Sequence, residues 1–155
     1  SPMRLALYQP EIAGNVGTIL RTAACLGVDV DIVEPCGFAF ADRALKRAGM
    51  DYADAVRAAR HPDWATFTRS IETQRLVLFT TKGSTPLPRF RFQADDILLF
   101  GSESAGVPAA VHAAANAHVV IPLRAGFRSL NLAVAAGIGL AEALRQTEGY
   151  PRCSP

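Results

Sequence analysis

The stretch MRLALYQPEIAGNVGTILRTAACLGVDVDIV, residues 3–33, decides the fold class. Its apolar start, 3–7, predicts a buried strand. Apolar residues then recur at a helical period from about Asn15, a good N-cap residue, to a helix stop at Gly27. A second β-rich run, 28–33, predicts another strand. A strand, a helix and a strand in this order are typical of an α/β protein with a mostly parallel sheet flanked by helices.

The remainder of the chain continues this alternation of strands and helices. Further elements are predicted as strands at 75–80, 97–100 and 118–121 and as helices at 42–49, 62–70 and 129–146. The stretch 51–60 fits neither pattern. Because ligands of open α/β sheets bind beyond the carboxyl ends of the strands, the loops after the three later strands are candidate sites. With no linker or internal repeat, residues 1–155 are expected to form a single domain.

The composition limits the class of protein. Half of the 155 residues are hydrophobic and 19% are charged, which favours a globular core over disorder. No apolar run approaches the ~18 residues that cross a bilayer, and the N-terminus, with Met3 expected to be the natural start, lacks a signal-peptide layout. We therefore expect a cytoplasmic protein without a membrane partner. The three cysteines have no CxxC spacing and the three histidines are scattered, so neither a disulfide framework nor a bound metal is expected.

Basic residues are clustered although the net charge is only +2. Arg43, Lys46 and Arg47 lie close together in the sequence, and Arg124 and Arg128 form a later pair. Such groups either contact nucleic-acid phosphates or are solvated surface charges. The charge pattern alone leaves both interpretations open.

Three local patterns join a turn to polar side chains. They are NVGTILR at 15–21, LLFGSESAGVP at 98–108 and IPLRAGFRSLNLAVAAGIGLAEALRQ at 121–146. The first carries Asn15 and Arg21, the second carries Glu103, and the third carries Ser129 and Asn131 at the expected start of the last helix. Each pattern also has an ordinary explanation, namely a helix cap with an exposed arginine, a tight loop with a solvated carboxylate, and a second helix cap. The P-loop, zinc-protease and nucleophile-elbow signatures are absent from the sequence.

Five blocks extend these patterns over residues 3–151. The blocks are LALYQPEIAGNVGTILR, IVEPCGFAFADRALKRAGMDY, LFTTKG, LFGSESAGVP and RSLNLAVAAG. In this order they resemble the SPOUT superfamily of RNA 2′-O-methyltransferases, and within it the small subfamily that methylates the ribose of a cytidine or uridine at nucleotide 34 of tRNA. The resemblance implies a C-terminal deep trefoil knot, an exception to unknotted connectivity. It also implies S-adenosyl-L-methionine as the cofactor and S-adenosyl-L-homocysteine as the product.

The same resemblance implies roles for individual residues. Arg21 would approach the ribose hydroxyl, and Asn15, Glu103, Ser129 and Asn131 would shape the methyl-transfer site. The cofactor-binding residues that it implies are Phe79, Thr80, Gly101, Glu103, Ile121, Leu123, Ser129 and Leu130. Because an arginine side chain stays protonated, Arg21 is expected to orient the hydroxyl or a neighbouring phosphate rather than to act as a base.

The expected partners are tRNA and a second copy of the chain. Arg43, Lys46, Arg47 and Arg128 are the expected phosphate contacts. Small apolar residues in 129–144 would let another backbone approach closely, so we expect a homodimer in which the first and last helices pack across a two-fold axis.

Some features depart from the subfamily pattern and keep other functions open. Ser102 stands where the subfamily usually has Pro, Ala105 where it often has Arg, and Ala141 where some relatives carry Tyr, so the nucleotide preference is the least secure part of the resemblance. One alternative is a ribose methyltransferase for ribosomal RNA or another tRNA position, and a second is a related scaffold without catalysis. A third alternative is a flavodoxin-like or Rossmann-like module with Gly14 and Gly17 in a phosphate loop, although a full GxGxxG is absent.

Overall fold

Seven short strands and four helices alternate along the residues that the computed structural model describes, which are 2–40, 43, 47, 58–71 and 73–154. The strands are β1 (Arg4–Tyr8), β2 (Asp29–Val33), β3 (Ala58–His61), β4 (Leu76–Phe79), β5 (Thr85–Pro86), β6 (Ile97–Phe100) and β7 (Ala117–Val120). The helices are α1 (Ala13–Leu26), α2 (Trp64–Ile71), α3 (Ala109–Ala114) and α4 (Leu132–Thr147), and a 3₁₀ turn spans Leu87–Arg89.

The strands form one parallel sheet in the order β3-β2-β1-β6-β4-β7-β5. Near its centre, Leu5 of β1 lies opposite Val30 of β2 on one side and Leu98 of β6 on the other. The predicted α/β class with a mostly parallel sheet flanked by helices is therefore confirmed.

Each face of the sheet is covered by a different pair of helices. Helices α1 and α4 pack on one face, through side chains such as Ile19 and Leu140, and α2 and α3 pack on the other, through Phe67 and Val111. All four residues of β4 and all four of β6 are buried. Continuous apolar runs are what a strand covered on both faces requires.

Two helices begin at other residues than the sequence predicts. Helix α1 begins at Ala13 with Ile12 at the N-cap position and no capping side chain of its own, so the prediction of Asn15 as the N-cap was wrong. Helix α4 begins at Leu132 rather than at residue 129, because Asn131 is its N-cap residue. The Asn131 side chain accepts hydrogen bonds from the backbone N–H groups of Ala133 and Val134. The start of α4 is thus set by a local cap, whereas α1 has no local capping side chain.

Three elements have no predicted counterpart. Strand β3 reads AARH and has no apolar alternation, because it is an edge strand with three exposed residues. Strand β5 has only two residues, and α3 has six. Of the predicted basic helix at 42–49, Arg43 and Arg47 are helical and exposed, while the rest of it and residues 51–57 lie outside the described residues.

A buried carboxylate attaches the edge strand to the sheet. Asp31 of β2 is 3% exposed, and its Oδ1 lies 2.9 Å from Nε2 of His61 at the end of β3. Its Oδ2 lies 3.2 Å from Nε of Arg4 at the start of β1. One side chain therefore ties together three neighbouring strands.

Close packing of α4 on the sheet depends on a glycine. A Cβ on Gly139 would lie 2.7 Å from two ring carbons of Phe79 at the end of β4. That ring has little room to move, because it stacks on Phe100 at a centroid distance of 4.7 Å and on Phe92 at 6.2 Å. Helix α4 can approach the strand ends this closely only with glycine at position 139.

We predict that Gly139→Ala lowers the free energy of unfolding by about 1–3 kcal/mol, the usual cost of forcing an extra methyl group into a packed core. Urea denaturation measures this change. Gly137→Ala is the matched control, because its Cβ would meet nothing within 4 Å and alanine is the better helix former, by about 0.5–1 kcal/mol. Equal effects of the two substitutions would contradict the packing argument.

Candidate active site

A cavity of about 680 Å³ lies beyond the carboxyl ends of β4, β6 and β7. Its wall consists mainly of three loops, 80–82, 101–107 and 121–131. It is lined by all eight residues expected to bind the cofactor, Phe79, Thr80, Gly101, Glu103, Ile121, Leu123, Ser129 and Leu130, and also by Asn15, Asn131 and Arg128. The structure therefore brings together side chains from four separate parts of the sequence.

The carboxylate of Glu103 supplies the cap that α1 lacks. Its Oε1 accepts a hydrogen bond from the backbone N–H of Glu11 at 2.8 Å, and its Oε2 accepts one from the N–H of Ile12 at 2.9 Å. Oε2 also accepts a hydrogen bond from Nδ2 of Asn15 at 3.1 Å. A negative charge at a helix N-terminus is stabilised by the exposed N–H groups and by the helix dipole. Glu103 therefore positions α1 against the loop that follows β6.

Glu11 makes the reciprocal contact. Its Oε1 accepts hydrogen bonds from the backbone N–H of Ser104 at 2.9 Å and from the Ser104 hydroxyl at 2.6 Å. These hydrogen bonds lower the pKa of the Glu11 carboxyl. The two glutamates thus exchange bonds between the same two loops. Sequence analysis did not single out Glu11, because its partner lies 93 residues away.

A side-chain amide bridge joins the third loop to the other two. Asn131 donates from Nδ2 to Oδ1 of Asn15 at 3.0 Å, while its own Oδ1 caps α4. Since Asn15 donates to Glu103 from its Nδ2, both ends of the Asn15 amide are engaged. A continuous polar chain, Glu103–Asn15–Asn131, therefore crosses the cavity wall.

The loop after β6 is a closed turn. Ser102 and Gly106 exchange two backbone hydrogen bonds of 2.9 Å, and Gly106 has a positive φ of 63°. A Cβ on Gly101 would lie 2.5 Å from the carbonyl carbon of Gly106, so the close approach requires glycine at 101. The N–H of Ser102 is one of the two donors that close this turn.

Ser129 and Arg21 differ in their position relative to the cavity. Ser129 is exposed and lines the cavity, but it precedes α4 by two residues and does not cap it. Arg21 is exposed on α1, six residues after Asn15 or about 9 Å along the helix, and it does not line the cavity. The structure thus gathers four of the five predicted catalytic residues and places the fifth farther along α1.

The cavity wall also contains residues that the sequence did not reveal. His112 of α3 lines it, and its ring stacks on His118 of β7 at a centroid distance of 4.2 Å. The Nε2 atom of His118 lies 2.6 Å from the carbonyl oxygen of His112. The two histidines are six residues apart, and no motif marks them as a pair. Lys82 and Arg128 contribute positive charge to the wall.

The predicted RNA contacts are described only in part. Arg43 and Arg47 are exposed, Arg128 lies at the cavity, and Lys46 is outside the described residues. Within the described part of the chain, no cluster of three or more His, Cys, Asp or Glu side chains could hold a metal ion. No helix there is long and apolar enough to span a bilayer.

Known proteins are similar to this chain in both sequence and fold. Residues 2–141 match the SpoU rRNA Methylase family. The chain is 60% identical over 144 residues to the tRNA (cytidine(34)-2′-O)-methyltransferase of Beijerinckia indica. This match covers 92% of this chain and 90% of that protein.

Solved structures agree with the sequence match. A structure described as concerning 2-OH methylation of C/U34 on tRNA has a TM-score of 0.89 and is 42% identical in sequence. The match covers 93% of this chain and 95% of the chain in that structure. An AdoMet-bound rRNA methyltransferase from Sinorhizobium meliloti has a TM-score of 0.84 and is 32% identical in sequence. The match covers 94% of this chain and 56% of the Sinorhizobium meliloti chain. Because the family model matches residues 2–141 and the solved relatives share the fold, the chain belongs to the SpoU rRNA Methylase family.

Proposed function

We propose that the protein transfers a methyl group from S-adenosyl-L-methionine to the ribose 2′-hydroxyl of nucleotide 34, a cytidine or uridine in the anticodon loop of tRNA. The observation that carries the proposal is the single cavity in which all eight expected cofactor residues and the polar chain Glu103–Asn15–Asn131 meet. The relatives named for cytidine 34 supply the substrate. A tRNA substrate also implies a cytoplasmic location.

The cavity suits a cofactor of this size and chemistry. Its volume of about 680 Å³ lies within the ~300–1,000 Å³ typical of small-molecule sites. Phe79, Ile121, Leu123 and Leu130 offer apolar surface for an adenine ring, and Thr80 adds a polar group beside them. S-adenosyl-L-methionine supplies a methyl group already activated by a positively charged sulfur and leaves as S-adenosyl-L-homocysteine. The AdoMet-bound relative supports this assignment.

The task left to the protein is to position the ribose hydroxyl. Holding two reacting groups close together in the correct orientation provides much of the rate enhancement in such reactions. Asn15, Ser129 and Asn131 line the cavity beside the loop of Glu103 and shape the transfer site. Glu103 acts as a positioning residue, since both of its carboxylate oxygens already accept hydrogen bonds. Arg21 orients the hydroxyl or a neighbouring phosphate, and as a permanent cation it leaves proton removal to another group.

The functional unit that we propose is a knotted homodimer. The C-terminal knot is proposed from the resemblance to the SPOUT superfamily, and Gly139 lets α4 pack closely on Phe79 of β4. Ile12, Val134 and Ile138 are 51%, 50% and 40% exposed, and they form apolar surface on α4 and at the start of α1. This surface supports a two-fold contact through the first and last helices.

The proposed RNA contacts are four basic residues, of which Arg128 lines the cavity. Arg43, Lys46 and Arg47 would neutralise phosphates of the tRNA, while Arg128 would act at the cavity. Such contacts position the RNA without reading its sequence.

The function is tested by incubating the protein with labelled S-adenosyl-L-methionine and unmodified tRNA, and by mapping the product by mass spectrometry. We expect one methyl group on the ribose of nucleotide 34. Ribosomal RNA in a parallel reaction provides the comparison, because the family model is named for rRNA methylation. Methylation of rRNA alone, or of another tRNA position, would contradict the proposal.

Arg21→Ala is expected to reduce methyl transfer by about 100-fold or more, the range for loss of a positioned catalytic donor. The affinity for S-adenosyl-L-methionine, measured by calorimetry, should stay unchanged, because Arg21 does not line the cavity. Arg21→Lys should restore little activity, since lysine lacks the planar fork that engages two oxygens. Arg69→Ala on α2 is the control. Near-normal turnover of both Arg21 variants would refute the assignment.

Glu103→Ala should lower the free energy of unfolding by about 1–2 kcal/mol, because it removes the cap of α1. It should also weaken cofactor binding and methyl transfer together, since Glu103 fixes the loop that lines the cavity. Glu142→Ala, which breaks a surface pair with Arg145, should cost at most about 1 kcal/mol and leave cofactor affinity intact. A Glu103 variant with full stability and reduced turnover would indicate direct participation in the chemistry instead.

A further inference from the structure

We propose that Phe127 is a stacking platform for an unpaired base of the RNA substrate, beside the nucleotide whose ribose is methylated. The proposal rests on the proposed function, because it takes the anticodon loop as the substrate. Phe127 is 68% exposed, more than any other large hydrophobic side chain in the described part of the chain. Its exposure is not explained by the cofactor cavity, since Arg128 and Ser129 line that cavity and Phe127 does not.

A hydrogen-bonded turn presents the ring to solvent. The backbone N–H of Phe127 donates to the carbonyl oxygen of Arg124 at 3.2 Å, and Gly126 at the third position of the turn has a φ of 91°. A positive φ at this position is the mark of a type II turn and favours glycine. The ring is therefore placed by a defined backbone conformation immediately before the residues that enter the cavity wall.

The surroundings of the ring are positively charged. The guanidinium carbon of Arg124 lies 5.9 Å from the centroid of the Phe127 ring, and Arg128 follows the ring directly. Residues 104–141 contain no Asp or Glu, so no carboxylate of this segment offsets the two arginines. Such a segment attracts a phosphate backbone to the ring.

An aromatic ring between arginines matches the chemistry of single-stranded RNA. Proteins bind unpaired bases by stacking them on aromatic side chains or arginine planes, while cationic groups hold the adjacent phosphates. The bases of an anticodon loop are unpaired and can be splayed apart. Because Arg128 and Ser129 line the cavity, a base on Phe127 would lie close to the ribose in the cavity.

A second copy of the chain is a poorer occupant for this ring. In a two-fold contact centred on Phe127, the Arg124 and Arg128 side chains of both copies would meet, and like charges oppose association. The apolar surface proposed for the dimer, at Ile12, Val134 and Ile138, lies instead on α4 and at the start of α1. The two surfaces are therefore assigned to different partners.

The test uses an anticodon stem–loop RNA with 2-aminopurine next to nucleotide 34, whose fluorescence falls when the base stacks on an aromatic ring. The full-length protein is compared with Phe127→Ala, Phe127→Leu and Phe127→Trp. We expect Ala and Leu to weaken RNA binding by roughly 5- to 150-fold, the range measured for loss of one base–aromatic stack, and to abolish the fluorescence change. Trp should preserve both signals. Arg69→Ala, an exposed charge on α2, is the control.

Two further measurements separate stacking from other roles of the ring. Calorimetry with S-adenosyl-L-methionine and sedimentation of each variant should both match the wild type. Gly126→Ala keeps the ring but strains the turn, so it should weaken RNA binding without changing cofactor affinity. A changed sedimentation coefficient in Phe127→Ala would assign the ring to a second copy, and lost cofactor affinity would assign it to the cofactor site; either result overturns the proposal.

The outcomes distinguish this inference from the proposed function. If Phe127→Leu binds the stem–loop as the wild type does, the stacking role is wrong, whatever the methylation assay shows. If the wild type binds the RNA with a Phe127-dependent fluorescence change but does not methylate nucleotide 34, the stacking role stands and the proposed function falls. Failure of the wild type to bind the stem–loop overturns both.

Discussion

The hydrogen bonds between the Glu103 carboxylate and the start of α1 are the contact on which the site depends. A helix leaves its first N–H groups without partners, and here a loop 91 residues farther along supplies the acceptor. Glu11 returns the contact through Ser104, so the loop after β1 and the loop after β6 hold each other. The strands β1 and β6 are neighbours in the sheet, which places these two loops side by side.

The amide of Asn15 transmits this constraint to the C-terminal segment. It is bound at one end to Glu103 and at the other to Asn131, whose own oxygen caps α4. A change at any of the three side chains therefore moves both a helix terminus and a cavity wall. Phe79 adds a second link of this kind, since its ring packs on Gly139 of α4 and also lines the cavity. Stability of the fold and shape of the site depend on the same atoms.

The local sequence predicted those strands whose apolar residues are buried in the core. The apolar strands β1, β4 and β6 were found because both of their faces are covered. Strand β3 was missed because AARH forms a strand only through pairing with β2 and through the contact of His61 with Asp31. The start of α1 was misplaced for a related reason, since its cap comes from a distant residue rather than from Asn15. Tertiary contacts decide such cases, and no short pattern contains them.

The candidate site likewise combines features that the sequence predicted with features that it did not. The loops that line the cavity were predictable, since they follow strands whose carboxyl ends meet at one edge of a parallel sheet, whereas the individual cofactor residues came from the resemblance to the SPOUT superfamily. The Glu11–Ser104 contact and the His112–His118 stack were not, because each depends on side-chain geometry between residues without a shared motif. Chain order alone also could not show that Asn15 bridges two loops instead of capping a helix.

The central position of β1 has a consequence for biosynthesis. Strand β1 is translated before its partner β6, which follows roughly 90 residues later, as the pairing of Arg4 with Ile97 shows. Until then one edge of an apolar strand has no partner, and an unpaired edge is a template for aggregation. Helix α4, which covers one face of that strand, follows all seven strands in the chain. The nascent chain therefore gains this protected core only after α4 has been made, so molecular chaperones that shield emerging strands would assist its folding.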